Sequence, residues 1–239
     1  MIRIDKYLAD CGIGTRSEVK KYIKAKQITV NGSLVLKPEE KVDETKDEIC
    51  FKGQPITYEK YVYYLFHKPA GCVTAKQDNV HQTVMDYFPE DIRVKDIAPV
   101  GRLDLDTEGL LLLTNDGPLT HHLLSPTHHI PKTYYAILDK EVPEDAIKKF
   151  KEGVDIGDDK PTLPAELVIK PVIEDEGGKY IYSAELTIHE GRFHQVKRMF
   201  EAVGCTVIYL KRLSMGSLTL GDLPKGEYRK LANNEISKL

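Results

Sequence analysis

The sequence predicts an α+β chain in two parts: a small α+β domain over residues 1–59, then a larger domain over 60–239 with a mostly antiparallel mixed sheet flanked by helices and loops. Three observations carry this. Two helical patterns open the chain and a hairpin signal follows them. Beyond residue 60, many short strand patterns recur with turn residues between them and few helices. Between the two parts, Gln54-Pro55-Ile56-Thr57-Tyr58-Glu59-Lys60 reads as a linker.

Ile4, Leu8 and Cys11 share one helical face, and Gly12 and Gly14 close that helix. Thr15-Arg16-Ser17-Glu18 is a capping-box pattern, in which Thr15 and Glu18 satisfy each other's backbone donors. The helix it opens has Val19, Tyr22 and Ile23 at core spacing and sets Lys20, Lys21 and Lys24 largely on the other side. Two apolar runs around Asn31-Gly32 predict a tight hairpin. A strand through Asp47–Phe51 and a turn at Lys52-Gly53 follow. In the larger part, strands are expected at Tyr61–Phe66, Cys72–Ala75, Lys132–Leu138, Ala165–Ile169, Tyr180–Ile188, Val207–Leu210, Leu218–Leu220 and Gly226–Leu231. Helices are expected at Thr83–Phe88, Leu119–Leu124, Glu144–Lys151 and after Gly191, where Val196, Met199 and Phe200 mark a buried face. Lys197 and Arg198 are adjacent on that helix and must point apart.

Composition excludes several classes. No apolar run approaches the length of about 20 residues that a membrane helix needs, and the amino terminus, Met1-Ile2-Arg3-Ile4-Asp5, has no apolar signal region. Cys11, Cys50, Cys72 and Cys205 are scattered, with no metal-site or redox spacing, so a cytoplasmic protein with reduced thiols is expected. His121, His122, His128 and His129 cluster, but no thiolate or acid joins them at ligand spacing. They read as a polar loop touching RNA or as surface histidines, and no metal is expected. The formal charge is −3, yet residues 1–37 carry eight lysines and arginines against three acids, and residues 191–212 carry five against one. Charge concentrated in this way suits a phosphate-backbone binder, although each patch alone would serve as a solvated helix face.

The centre of the chain is Gly101-Arg102-Leu103-Asp104-Leu105-Asp106-Thr107-Glu108-Gly109, followed by four leucines and Thr114-Asn115-Asp116-Gly117. The leucines predict a fully buried strand closed by a turn at Asn115-Asp116-Gly117. Carboxylates at the mouth of such a strand lie beside a low-dielectric interior, where they must be paired or used. Asp104 and Asp106 would equally suit a plain turn. Read physically, Asp104 is a nucleophile or base, and Lys197, from far along the chain, is the cation that keeps it ionised. This pairing does not by itself identify a reaction.

The opening module, through Arg3-Ile4-Asp5-Lys6-Tyr7-Leu8, Thr15-Arg16-Ser17-Glu18 and Ile28-Thr29-Val30-Asn31-Gly32, resembles the S-four-type RNA-binding domain. The central stretch resembles the motif of the ribosomal RNA pseudouridine synthases. Three further stretches agree with it in order: His67-Lys68-Pro69-Ala70-Gly71, Lys132-Thr133-Tyr134, and Glu190-Gly191-Arg192-Phe193-His194-Gln195-Val196-Lys197-Arg198-Met199-Phe200. The last 30 or so residues fit as well. The wording from Phe193 to Gly204 leans to the small-subunit (RsuA-like) type. The resemblance implies that a uridine of 16S rRNA, naked or in a small-subunit assembly particle, is isomerised to pseudouridine by a monomer needing no cofactor.

It implies Asp104 as the essential carboxylate, attacking the ribose, attacking carbon 6 of the base, or taking a ribose proton. Tyr134 would stack on the uracil, an interaction worth about 1–3 kcal/mol, and Lys197 would pair with Asp104. Arg102 would fill the gap left by the flipped base. Arg3, Arg16, Lys20, Lys21, Lys24, Arg192 and Arg198 would bind RNA. Asp106 is expected to support the turn, and Tyr135 to pack on the far side of its strand. The alternatives are a large-subunit synthase acting on 23S rRNA, a non-catalytic RNA-binding ribosome-assembly protein, and a hydrolase using Asp104 and Asp106 with a metal.

Overall fold

The computed structural model describes residues 1–239 and divides into two compact units, Met1–Val62 with Pro89–Ile97, and Tyr63–Phe88 with Ala98–Leu239. The division after Val62 lies three residues beyond the boundary expected after residue 59.

In the first unit, α1 (Ile4–Asp10) and α2 (Arg16–Lys24) precede a four-stranded sheet of β1 (Ile28–Val30), β2 (Ser33–Leu34), β3 (Ile49–Phe51) and β4 (Gln54–Ile56), in the order β2–β1–β3–β4. The Thr15–Glu18 capping box forms as expected. The β1–β2 turn places both Asn31 (φ 50°) and Gly32 (φ 79°) in the left-handed region, as a tight hairpin requires. Ile4, Tyr7, Leu8, Val19, Ile23, Ile28 and Ile49 form the core. The expected linker begins too early. Gln54–Ile56 is an edge strand, with Pro55 tolerated there, and Tyr58 stacks on Tyr7 with ring centroids 4.8 Å apart.

The second unit is built on a ten-stranded sheet. Its main strands are β5 (Tyr63–Lys68), β6 (Glu108–Thr114), β7 (Lys132–Leu138), β8 (Glu166–Ile169), β9 (Tyr180–Ile188), β10 (Val207–Met215) and β11 (Tyr228–Lys230). They run in the order β8–β9–β7–β10–β6–β5–β11. Every pair on this path is antiparallel except β10 with β6, which is parallel. Flanking helices are α3 (Gly117–Leu124), α4 (Asp145–Glu152) and α5 (Gln195–Ala202).

All seven residues of β6 are buried, so the leucine run is the central strand that its composition predicts. Leu110 and Leu112 join Leu65, Val100, Leu123 and Met215 in one apolar cluster. Leu111 and Leu113 point to the opposite face and are also fully buried.

Three local expectations are corrected. Asn115-Asp116-Gly117 does not close a hairpin: Asp116 caps α3, its carboxylate accepting from the Leu119 N–H at 3.1 Å. Cys72–Ala75 is not a strand, because its only ladder contact is an isolated bridge between Val73 and Thr83. The strand starting at Val207 does not stop at Leu210 but continues through Lys211 and Arg212 to Met215.

Candidate active site

The loop Gly101–Thr107 leads into β6, and the backbone around Asp104 is gripped from two sides. Lys68, at the end of β5, is fully buried. Its ammonium donates to the carbonyls of Pro69 (3.0 Å), Asp104 (3.0 Å), Leu105 (3.4 Å) and Thr107 (2.9 Å). Burial pushes this amine down from its ordinary pKa, while nearby acids oppose the shift. On the other side, the Thr74 hydroxyl donates to the Leu103 carbonyl at 2.7 Å and accepts from the Leu103 N–H at 3.2 Å. Asp104 is thereby fixed through its backbone, which leaves its carboxylate about one-third exposed.

Two basic side chains face that carboxylate. Lys197 Nζ lies 3.6 Å from Asp104 Oδ2, and His194 Nε2 lies 3.6 Å from Oδ1. Both are ion-pair distances, longer than a hydrogen bond. Lys197 forms the expected ion pair with Asp104, and its shorter contacts are to Asp106, at 2.7 and 2.8 Å. That hydrogen bond holds the Asp106 carboxyl below its ordinary range. Asp106 is therefore more than a turn residue: it anchors the lysine that stands beside Asp104.

Tyr134, Arg102, Asp104, Lys197 and Arg192 all line one cavity of about 410 Å³. Tyr134 is buried on β7, whereas Tyr135 alternates to the other face and is half-buried. Arg102 is exposed at the cavity wall. Lys197 and Arg198 point apart. The Arg198 guanidinium turns to Asp158 at 2.6 Å and to the carbonyls of Phe193 (3.1 Å) and Ile156. Arg192 is likewise engaged, with Glu190 at 3.0 Å and the carbonyls of Lys160 (2.6 Å) and Pro161 (2.7 Å). These two arginines, expected to bind RNA, are committed to holding the 156–161 loop.

In the first unit, Arg3 forms a two-point contact with buried Asp5, at 2.8 and 3.0 Å, so it neutralises an internal acid. Arg16, Lys20, Lys21 and Lys24 stay exposed along α2.

Residues missed by the sequence reading include His194, Lys68 and Arg212. Their polarity gave no sign that Lys68 and Arg212 are buried. Phe193 is 71% exposed and stacks on His194 with centroids 3.9 Å apart, presenting a ring at the cavity wall. The four histidines do not converge: the rings of His122 and His128 stack at 4.0 Å, and His128 Nδ1 meets the His122 carbonyl. No group of three or more His, Cys, Asp or Glu side chains is placed to hold a metal. No helix is long and apolar enough to cross a membrane.

A helix–hairpin module precedes a large mixed sheet whose cavity holds a backbone-clamped carboxylate, which defines a two-part α+β class. The chain belongs to the RNA pseudouridylate synthase family, whose model matches residues 62–202, and its first part matches the S4 domain over residues 2–49. It is thus an isomerase by family. An uncharacterized RNA pseudouridine synthase of Bacillus subtilis is 44% identical, covering 100% of this chain and 98% of that protein. The ribosomal small subunit pseudouridine synthase A of Haemophilus influenzae is 39% identical over 100% and 99%. The ribosomal large subunit pseudouridine synthase B of Bacillus subtilis is 38% identical over 100% and 96%. A crystal structure of a pseudouridylate synthase, 37% identical, superposes with a TM-score of 0.67 over 100% of this chain and 99% of that one.

Proposed function

We propose that this chain converts one uridine of 16S rRNA to pseudouridine, as a cytoplasmic monomer, with Asp104 as the essential carboxylate. The observation that carries the reading is the Asp104 side chain, held through its own carbonyl by Lys68 and through the neighbouring Leu103 backbone by Thr74, and left without a close partner in a cavity shared with Tyr134. A carboxylate positioned by its main chain keeps its oxygens available for the substrate. Lys197 supplies positive charge at 3.6 Å, with His194 Nε2 at the same distance, without consuming those oxygens. Tyr134 gives the flipped uracil a stacking face, and Arg102 stands where it can replace the base in its stack. The lysines of α2 bind the RNA backbone. One chain supplies Asp104, Tyr134 and Lys197 to the cavity, so a monomer suffices for the chemistry. The small-subunit target rests on the wording of the α5 stretch and on the Haemophilus relative's name.

The deciding measurement is tritium release from carbon 5 of uridine in 16S rRNA or a small-subunit particle. Wild-type protein releases tritium and Asp104→Asn does not. Equal release by both would remove Asp104 from the chemistry. Release from 23S rRNA alone would assign the large-subunit target. No release from either RNA, with binding retained, would leave a non-catalytic ribosome-assembly factor.

A further inference from the structure

The cavity contains a buried cation that the roles above do not use. Arg212, on β10, is 2% exposed and lines the cavity with Asp104, Lys197 and Tyr134. Its Nε donates to the Leu110 carbonyl at 2.7 Å. Its Nη2 is buried and donates to nothing in the protein. Leaving such a donor unpaired is costly, more so on a charged group, and buried polar groups are otherwise satisfied. Nearby Lys132 also lines the cavity, and its ammonium donates only to the Ile130 carbonyl, at 3.0 Å.

The sheet is shaped to hold Arg212 there. β10 runs parallel to β6 with Arg212 opposite Gly109, and antiparallel to β7 with Arg212 opposite Tyr134. Gly109 has φ +110°, and a Cβ on it would lie 2.2 Å from the Arg212 carbonyl oxygen and 2.5 Å from its nitrogen. The glycine that ends the Asp104 stretch thus admits the Arg212 backbone at van der Waals range.

We infer that Arg212 Nη2 donates to a carbonyl oxygen of the flipped uracil and holds the negative charge that develops there. This rests on the reading that the substrate is an RNA uridine. A guanidinium only donates, so among the polar atoms of uracil it serves O2 or O4 and not the N3–H. A deeply buried donor meets the base, because the phosphates remain outside with the backbone.

The charge argument holds for each route open to Asp104. When the bond from ribose C1′ to N1 breaks, its electron pair stays with the base and spreads onto the carbonyl oxygens. If Asp104 adds to carbon 6, the pair of the C5–C6 double bond moves to O4. C5 then bonds to C1′, the bond from Asp104 to ribose or to carbon 6 breaks (or the abstracted ribose proton returns), and the C5 proton passes to a base while N1 takes one up. Arg212 transfers no proton at any stage. A fixed, buried cation stabilises the developing oxyanion. A contact to O4 would also disfavour cytosine, whose position 4 carries a donor in place of the acceptor.

The test uses the full-length protein and 5-tritiated RNAs carrying uridine, 2-thiouridine or 4-thiouridine at the converted position, since sulfur is a weak acceptor. Wild-type protein is expected to slow about tenfold or more on one thio-RNA. Arg212→Gln is expected to slow roughly a hundredfold on uridine, with KM changed far less than kcat, and to lose its sensitivity to that same thio-RNA. Equal sensitivity of variant and wild type would mean that Arg212 is merely structural and would overturn the inference. If Arg212→Gln fails to fold, wild-type protein alone decides: equal release from all three RNAs overturns the inference. No release by wild-type protein from the uridine RNA would refute the underlying reading instead.

Discussion

The ammonium of Lys68 lies 3.0 Å from the carbonyl oxygen of Asp104, so the chain's one fully buried lysine holds the main chain of its central carboxylate. Lys68→Met would orphan the Thr107 carbonyl, at about 1–3 kcal/mol for a buried acceptor without a partner, while the carbonyls of Asp104 and Pro69 keep the Thr107 N–H and the Cys72 thiol. A loss of about 1–3 kcal/mol in urea unfolding is expected, together with a fall in tritium release. An unchanged midpoint would show that water replaces the ammonium.

Lys197 divides unequally between two acids, at 2.7 Å from Asp106 and 3.6 Å from Asp104. Asp106 is 70% exposed, and such pairs contribute about 0–1 kcal/mol to stability. Asp106→Asn should therefore keep kcat/KM within about tenfold and stability within about 1 kcal/mol. Lys197→Met, which removes the charge beside Asp104, should cost on the order of a hundredfold. Similar losses from the two substitutions would make Asp106 an equal partner in the site.

Gly109→Ala would drive a methyl group into the Arg212 backbone at a positive φ. Strain and overpacking at one position add to about 3 kcal/mol or more. Guanidinium unfolding of the variant measures this, and wild-type stability would contradict the close approach of β6 and β10.

Lys20, Lys21 and Lys24 are exposed on α2. Replacing all three with Gln should lower the slope of log binding constant against log salt by about 2–3, near one for each phosphate no longer neutralised. Filter binding across a salt series reads this directly. A parallel line would place the RNA elsewhere.

Glu108 provides the pH dependence. Burial pushes its carboxyl up, but hydrogen bonds from Lys225 at 2.8 Å and Tyr209 at 2.7 Å outweigh burial and hold it below its ordinary range. A folded pKa below the unfolded one gives stability that is present above about pH 4.3 and lost as pH falls through the folded value. Wild-type protein should lose more stability than Glu108→Gln between pH 6 and about pH 3. Equal losses would show that the carboxylate is not specifically held.

Much of this was legible in the sequence because the signals were local. Thr15 and Glu18 cap each other, Asn31-Gly32 turns, and Lys132–Leu138 is a strand with its expected ends. The buried polar residues were not legible. Lys211-Arg212 interrupts an apolar run and reads as a strand end, yet Arg212 is buried because the Leu110 carbonyl, on a strand about a hundred residues earlier, accepts its Nε proton. Lys68 is buried because three carbonyls of the distant Asp104–Thr107 stretch converge on it with that of Pro69. The arginines of the 191–212 patch looked available because Asp158, which binds Arg198, lies forty residues upstream.

The parallel pairing of β6 with β10 has a consequence in time. Asp104 leaves the ribosome about a hundred residues ahead of Arg212, on the order of ten seconds at ordinary synthesis rates. During that interval the S4 domain, complete by residue 62 apart from Pro89–Ile97, is already outside, whereas the cavity still lacks the wall that β10 supplies. A chain cut short before Val207 would carry the S4 stretch and the Asp104 loop but not the strand that completes the cavity.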